Sequence, residues 1–434
     1  MSAIPSNLYT APKIRGLKSV ETKSITLRPV NASTNTVFRA DGNNQLVYHI
    51  PAFSNSYISP KSSCLSMVVK AIRDAGDTTT EFRFNPLYPV FERVQVKSSS
   101  GMIIADIDDY HILQKLVSNF DPEWDSKMAL NGDNRSGIIA DDTTDLVGDG
   151  VTVQHDILAG LFSQEHYIPC GLFSGSAGHC LEITFYLNEP RKCMVASDSA
   201  YAGNYNYELS NVNFQLEVVK LPESVTSKLN AQIMKGDKVS IPMVNYRSHK
   251  SYIPASSKSV DITISESAHD LESVMTVLLP DSVTDQKGNI VVGNESNTYF
   301  YGGRTYPVES YQFNYADRYY PTQKAELKTT DQRLALMNAI KNLDLTDKPP
   351  YVARPNIWKD QFCIVQSFKT SKEDDFENGL NTSSSGAPLI LQLAVKQADA
   401  TKAYRVVSFV KQNQTLNIFK GGQTSLTDGI VEGM

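Results

Sequence analysis

Residues 181–187 read Leu181-Glu182-Ile183-Thr184-Phe185-Tyr186-Leu187. Apolar residues occupy every second place. A β-strand turns successive side chains to opposite faces, so this segment carries one apolar face. The same period of two runs through Val212, Phe214, Leu216 and Val218, then through Val260, Ile262 and Ile264. It recurs in Phe362, Ile364 and Phe368, and in Leu389, Leu391, Leu393 and Val395. Each apolar face has to be covered by another sheet. Many such segments in one chain predict sandwiches or barrels.

Outward from these segments, strands are expected at Ser24–Val30, Gln45–Ile50, Leu65–Ile72, Val90–Val96, Met102–Ala105 and Val151–Leu158. More are expected at Val239–Tyr246, Ser273–Leu279, Val308–Asn314 and Ala403–Val410. Ser98-Ser99-Ser100-Gly101 reads as a hairpin loop. Helices are few. Asp108–Phe120 spaces Tyr110, Leu113, Leu116, Val117 and Phe120 helically, with Asp106 or Asp108 as cap. Pro222–Met234 opens with proline in the first turn and sets Val225, Leu229 and Ile233 on one stripe. Thr330–Leu343 follows the capping-box pattern Thr329-x-x-Gln332.

The expected architecture is all-β: two tandem eight-stranded jelly rolls with a few short helical insertions. A flexible N-terminal arm covers 1–20, the first jelly roll 21–220, a connector helix 221–236, the second jelly roll 237–420 and a flexible tail 421–434. The halves share an order of elements without a close sequence repeat. The polar stretch 119–150 and the proline-bearing stretch 343–360 are long enough to carry contacts or function.

Composition narrows the function. With 41% hydrophobic and 20% charged residues the chain is neither disordered nor a coiled coil. A net charge of −6 argues against whole-surface nucleic-acid binding and sequence-specific readout. No run of about 18 apolar residues marks a transmembrane helix, and Met1–Asn7 lacks the charged-then-apolar pattern of a secretion signal. The five cysteines, Cys64, Cys170, Cys180, Cys193 and Cys363, have no C-x-x-C spacing, so free thiols are expected.

The chemistry of cofactors and catalysis finds no pattern. The densest potential ligand group is His166, Cys170, His179, Cys180 and Cys193. Its spacing is irregular, and His179 and Cys180 would point to opposite faces of a strand, so no zinc site is expected. The loop Asn131–Gly137 partly mimics a calcium loop but has Arg135 where an oxygen donor belongs. No nucleophile elbow or phosphate-binding glycine loop occurs, so no cofactor and no catalytic residue is assigned. The tyrosines from Tyr299 to Tyr320 suit either a sandwich core or an interface or sugar-stacking platform.

Four stretches resemble the double jelly-roll major capsid proteins of DNA viruses, of the polinton-like virus, adintovirus and virophage type, and more distantly those of giant viruses. They are Phe91–Val96 with Ser98–Gly101 and Ile107–Leu116; Leu209–Lys220 with Pro222–Ile233; Val260–Pro280; and Gln366-Ser367-Phe368 with Gly379-Leu380-Asn381-Thr382-Ser383. The segment before Gly379, Glu373–Glu377, departs from the family pattern by lacking proline. The resemblance implies a non-enzymatic structural protein that forms pseudo-hexagonal homotrimeric capsomers tiling an icosahedral virion shell. Assembly would take place inside the host cell.

The implied partners are neighbouring capsomers, penton and minor capsid proteins. Long loops around 119–150 and 281–304 would form the outer tower. The arm bearing Lys13, Arg15 and Lys18 would face inward and meet a membrane, a minor protein or the genome. The alternative is a secreted or cytosolic carbohydrate-binding or carbohydrate-cleaving tandem jelly-roll protein. Less favoured are a minor capsid or spike protein and a two-domain cupin enzyme.

Overall fold

The computed structural model describes residues 21–33, 36–53, 55–72, 82–84, 90–120, 150–163, 167–173, 178–190, 194–196, 206–223, 238–280, 308–326, 363–369, 379–384, 386–396 and 403–428, with Ser227 and Ala231 between them. The first half contains β1 (Glu21–Leu27), β2 (Gln45–Pro51), β3 (Ser56–Ile72), β4 (Phe82–Phe84), β5 (Phe91–Ser98) and β6 (Ile103–Asp108). After helix α1 (Tyr110–Phe120) come β7 (Val151–Asp156), β8 (Ile168–Pro169), β9 (His179–Leu187), β10 (Met194–Ala196) and β11 (Asn206–Lys220). The second half contains β12 (Val239–Ile253), β13 (Ser259–Ile264), β14 (Leu271–Pro280), β15 (Val308–Tyr315) and β16 (Arg318–Glu326). It ends with β17 (Ile364–Ser367), β18 (Leu389–Val395), β19 (Tyr404–Ile418) and β20 (Thr424–Asp428).

Strand order decides the fold. The first half makes two facing sheets, β1-β11-β3-β7 and β2-β9-β5-β6. The second makes β12-β19-β14-β17 and β13-β18-β15-β16. Number the eight principal strands of each half from one to eight, and both halves have the orders 1-8-3-6 and 2-7-4-5. These are two jelly rolls with identical wiring. All the pairings are antiparallel. β8 and β20 extend the first sheet of each barrel, and β4 pairs with β10.

Alternation places the cores. In β18 the pattern buries Leu389, Leu391, Leu393 and Val395 and leaves the residues between them half-buried. Tyr48, Phe185 and Phe214 meet edge-on inside the first barrel, and Phe313 meets Phe368 likewise in the second. Most buried apolar residues of both barrels join in one continuous cluster, with Tyr57, Val219 and Leu221 in a small separate one.

Several expectations change in detail. Helix α1 starts two residues later than its spacing suggested. Ile107 and Asp108 remain paired with Val94 and Arg93 in β6, and Asp109 then turns the chain at φ 51°. Asp106 is not a cap, because its carboxylate takes Arg93. The hairpin at 98–101 is present, with Gly101 at φ 85° donating to the Ser98 carbonyl at 2.9 Å. The expected loose tail from 421 is instead a short 3₁₀ turn followed by β20, which pairs with β19 as far as Asp428. In the connector, Glu223, Ser227 and Ala231 are helical. The arm 1–20, the helix expected over 330–343 and the loops 121–149 and 281–307 lie outside the described residues.

Candidate functional site

Polar groups tie the two barrels together and line the outer wall of the first. The joint between the barrels is formed by β6 and the 3₁₀ turn Gly160–Ser163 against β12. Gly160 has φ 52°, and a Cβ there would come within 3.1 Å of the Ala105 Cβ, so glycine lets the turn close on β6. The Asn245 amide donates across the joint to the Ile104 carbonyl and, within its own sheet, to Gln414 Oε1, both at 2.9 Å. Ser163 Oγ lies 3.2 Å from the Val244 carbonyl. Thr424 Oγ1 lies 2.9 Å from Ser98 Oγ and 3.0 Å from Ser100 Oγ, which ties β20 to the first barrel's hairpin.

Charge reinforces this joint. Asp109, fully buried at the start of α1, faces Lys250 at 3.1 Å and Arg405 at 3.5 Å, both from the second barrel. Burial alone would raise its pKa. Arg405, His111 and Lys250 outweigh that and hold the carboxyl below its ordinary value. Nearby, His155 is packed against Phe91, Tyr110 and Phe185, with Nε2 3.3 Å from the Tyr110 hydroxyl. Burial pushes its pKa down to about 3, so the ring is neutral.

The outer wall of the sheet β2-β9-β5-β6 is a ladder of half-exposed polar groups. Arg93 holds Asp106 with two bonds of 2.7 and 2.6 Å and lies over the Tyr186 ring at 5.3 Å. Glu182 meets Lys97 at 3.5 Å and His49 at 3.3 Å. The His49 and His179 rings stack at 4.3 Å. His179 faces outward while Cys180 is fully buried beside Cys170, and burial raises the Cys170 thiol pKa first of all.

In the second barrel the stretches Val260–Pro280 and Gly379–Ser383 pack on each other. Leu271 and Leu380 exchange backbone bonds of 3.0 and 2.9 Å. A Cβ on Gly379 would lie 2.4 Å from both Asp270 Oδ1 and the Leu271 carbonyl, so only glycine allows this approach. Thr382 Oγ1 accepts from the Ala268 amide at 2.9 Å and donates to the Glu266 carbonyl at 2.7 Å. Asn381 Oδ1 accepts from the Ser383 and Ser384 amides. The glycine, asparagine and threonine of this segment thus hold a loop shut. Ser383 Oγ is 3.1 Å from His269 Nδ1, but the same hydroxyl donates to Asn381 within an exposed turn. Below the loop, buried Glu272 binds Lys411 at 2.5 Å and Lys369 at 3.0 Å. Burial raises its pKa, and the two lysines more than reverse this.

Lys13, Arg15 and Lys18 lie outside the described residues, as do His166 and Cys193. Cys64, Cys170, Cys180 and Cys363 are buried and form no disulfide with one another. Of the tyrosine cluster, Tyr311 and Tyr315 are core, and Tyr319 is exposed. No helix among the described residues is long and apolar enough to cross a membrane. The joint has no signature in the sequence. Its members, Asp109, Asn245, Lys250 and Arg405, are separated by up to about 300 positions and share no spacing. A polar residue beside the apolar stripe of α1, as Asp109 is, is the one available signal.

No family model and no curated protein matches the sequence. Solved structures do match, and they match along both barrels. VP54 of PBCV-1, as fitted into a reconstruction of the virophage Sputnik, is similar at TM-score 0.62 and 12% identity, over 96% of this chain and 98% of that one. The Faustovirus major capsid protein is similar at TM-score 0.59 and 10% identity, over 93% and 91%. The fold is the double jelly roll of viral major capsid proteins. The mavirus major capsid protein has it too, at TM-score 0.51 and 10% identity, over 99% and 95%. At these identities the double jelly roll is kept while most side chains differ. The residues that hold this one together must therefore be read from its own contacts.

Proposed function

We propose that this double jelly roll is a major capsid protein and a non-enzymatic component of a virion shell. One observation carries the reading. The likeness to the Faustovirus protein takes in both barrels and leaves less than a tenth of either chain unmatched. A jelly roll alone serves many functions; two in tandem, end to end with a capsid protein, are far more specific. The joint supports the reading, because a shell subunit has to keep its two barrels in fixed register.

The assembly is proposed to be a homotrimer with a pseudo-hexagonal outline, since three copies of two like-wired barrels give six similar lobes. Capsomers then contact each other and the penton and minor proteins of an icosahedral shell. Within the chain, 21–220 and 237–420 are the two barrels and 221–236 the connector. The arm with Lys13, Arg15 and Lys18 reaches an inner membrane or the genome. Light scattering after size exclusion, with electron microscopy of the same fraction, tests the assembly. The expected particle has a mass of 144 kDa, three times the 48.0 kDa chain, and six lobes. A monomer at micromolar concentration overturns the trimer. Deleting 1–20 should leave the particle intact and reduce retention on anionic vesicles or DNA.

A further inference from the structure

We infer that His49, His179 and Glu182 form a binding site for one divalent transition-metal ion, with zinc the best match, on the outer wall of the first barrel. Their ligand atoms all lie within 4.8 Å of one another. Two imidazole nitrogens and one carboxylate oxygen are a zinc donor set that leaves a fourth position for water or a neighbour's side chain. A single carboxylate with two nitrogens is a poor set for calcium or magnesium, which take mostly oxygen ligands. Imidazole also suits copper and nickel, so selectivity among these follows their general affinity order.

The backbone builds this grouping. Residues 179 and 182 are three apart in one strand, and in a regular strand they would face opposite ways. The pairing of β2 with β9 slips at this point: Ile50 lies opposite Leu181, whereas Pro51 lies opposite His179. Cys180 is the extra residue, and it turns inward, fully buried. The bulge therefore re-aims His179 to the outer face, where it meets His49 from the next strand. Glu182 lies directly opposite His49 in the register, and its Oε2 is already 3.3 Å from His49 Nε2. All three side chains are half-buried, open enough to admit an ion. Zinc bonds of about 2.0–2.2 Å would draw the ligand atoms together by roughly an ångström.

Lys97 sets the affinity. Its ammonium lies 3.5 Å from Glu182 Oε1, the oxygen turned away from His49. It leaves Oε2 for the ion but repels a dication. The site does not depend on the capsid reading, since it is made within one barrel of one chain.

The test is zinc titration of the full-length protein against a chromophoric chelator, for wild type, H49A, H179A, E182Q, K97M and a control, H269A, at an exposed histidine elsewhere. Loss of an outer-shell partner of a bound metal typically weakens it by about 10–100-fold, so loss of a ligand should cost at least about tenfold. The expected result is one zinc equivalent in wild type and H269A, weakened at least about tenfold in H49A, H179A and E182Q, and tightened in K97M. Equal binding by wild type and the three ligand variants, or no zinc bound by wild type at micromolar concentration, overturns the proposal. K97M removes no ligand and stays informative even where a histidine variant misfolds: tighter binding supports the site, and unchanged affinity overturns it.

Discussion

The Asp109 carboxylate of the first barrel lies 3.1 Å from the Lys250 ammonium of the second and is fully buried there. It is also the turn that ends β6 and starts α1, at φ 51°. One residue thus sets a local backbone path and the contact between two barrels. Asparagine tolerates that conformation, so Asp109→Asn keeps the turn and removes the charge. Lys250 and Arg405 are partly exposed and can return to water. The cost is expected to be about 1.5–3 kcal/mol, the range for hydrogen bonds to charged groups. A lowered melting temperature checks it. Melting unchanged in D109N would mean the Asp109 charge adds nothing to the hold between the barrels.

Acid should loosen the first barrel before the second. In the unfolded chain the His155 imidazole takes a proton below about 6.5, whereas the folded ring stays neutral down to about 3. The unfolded state binds more protons over that interval, so stability declines as pH falls from about 6.5, by at most about 1.4 kcal/mol per pH unit for one group. Asp109 and Glu272 are held below their ordinary values of 3.8 and 4.5. Their contribution is complete above those values and is lost as pH falls through the folded ones. Denaturation between pH 7 and 4 should show the decline, and His155→Gln should flatten its upper part.

Gly379→Ala should destabilise the second barrel by about 1–3 kcal/mol, the usual cost of forcing atoms into filled space. The clash is with backbone, the Leu271 carbonyl, and no rotamer relieves it. Gly42→Ala is the matched control, because a Cβ there meets nothing within 4 Å. Thermal melts of the two variants should differ clearly. Equal melts would mean the loop 379–384 moves aside at no cost.

Stopping the chain after residue 423 removes β20 and, with it, the partners of two buried amides. Gln414 Nε2 donates to Asp428 at 2.9 Å, and Asn417 donates to Thr427. Each loss should cost about 1 kcal/mol. Along β19, β14 covers Tyr404–Gln412 and β20 covers Gln414–Ile418 on the same side. Amide exchange should therefore quicken in Thr415–Ile418 and stay slow toward Tyr404.

The sequence shows best the strands that keep one face dry and one wet. β18 alternates cleanly, β9 alternates in sequence from Leu181 to Leu187, and both fall within a few residues of their expected places. β19 is legible only as far as Val410, because Lys411-Gln412-Asn413-Gln414-Thr415 reads as a polar loop. In the structure Lys411, Gln412, Gln414 and Thr415 are buried, Lys411 with Glu272 as its partner and Gln414 with Asn245 and Asp428. Burial of paired polar groups leaves no hydropathy signal. β16 escapes notice for the opposite reason, being largely exposed on both faces. The helix at 110 is visible, but its first residue is not, because pairing in β6 outlasts the apolar spacing. Long-range groupings such as His49 with His179 arise from strand register and one bulge, which no spacing along the chain encodes.

The tie between Asn245 and the Ile104 carbonyl has a mechanical result. Main chain on one side, a buried amide on the other and a buried anion beside them leave little room for one half to tilt on the other. Any closed surface made from such stiff pieces must curve at the gaps between copies. Variants that change its radius should therefore map to the perimeter of the molecule and leave the waist between its two halves untouched.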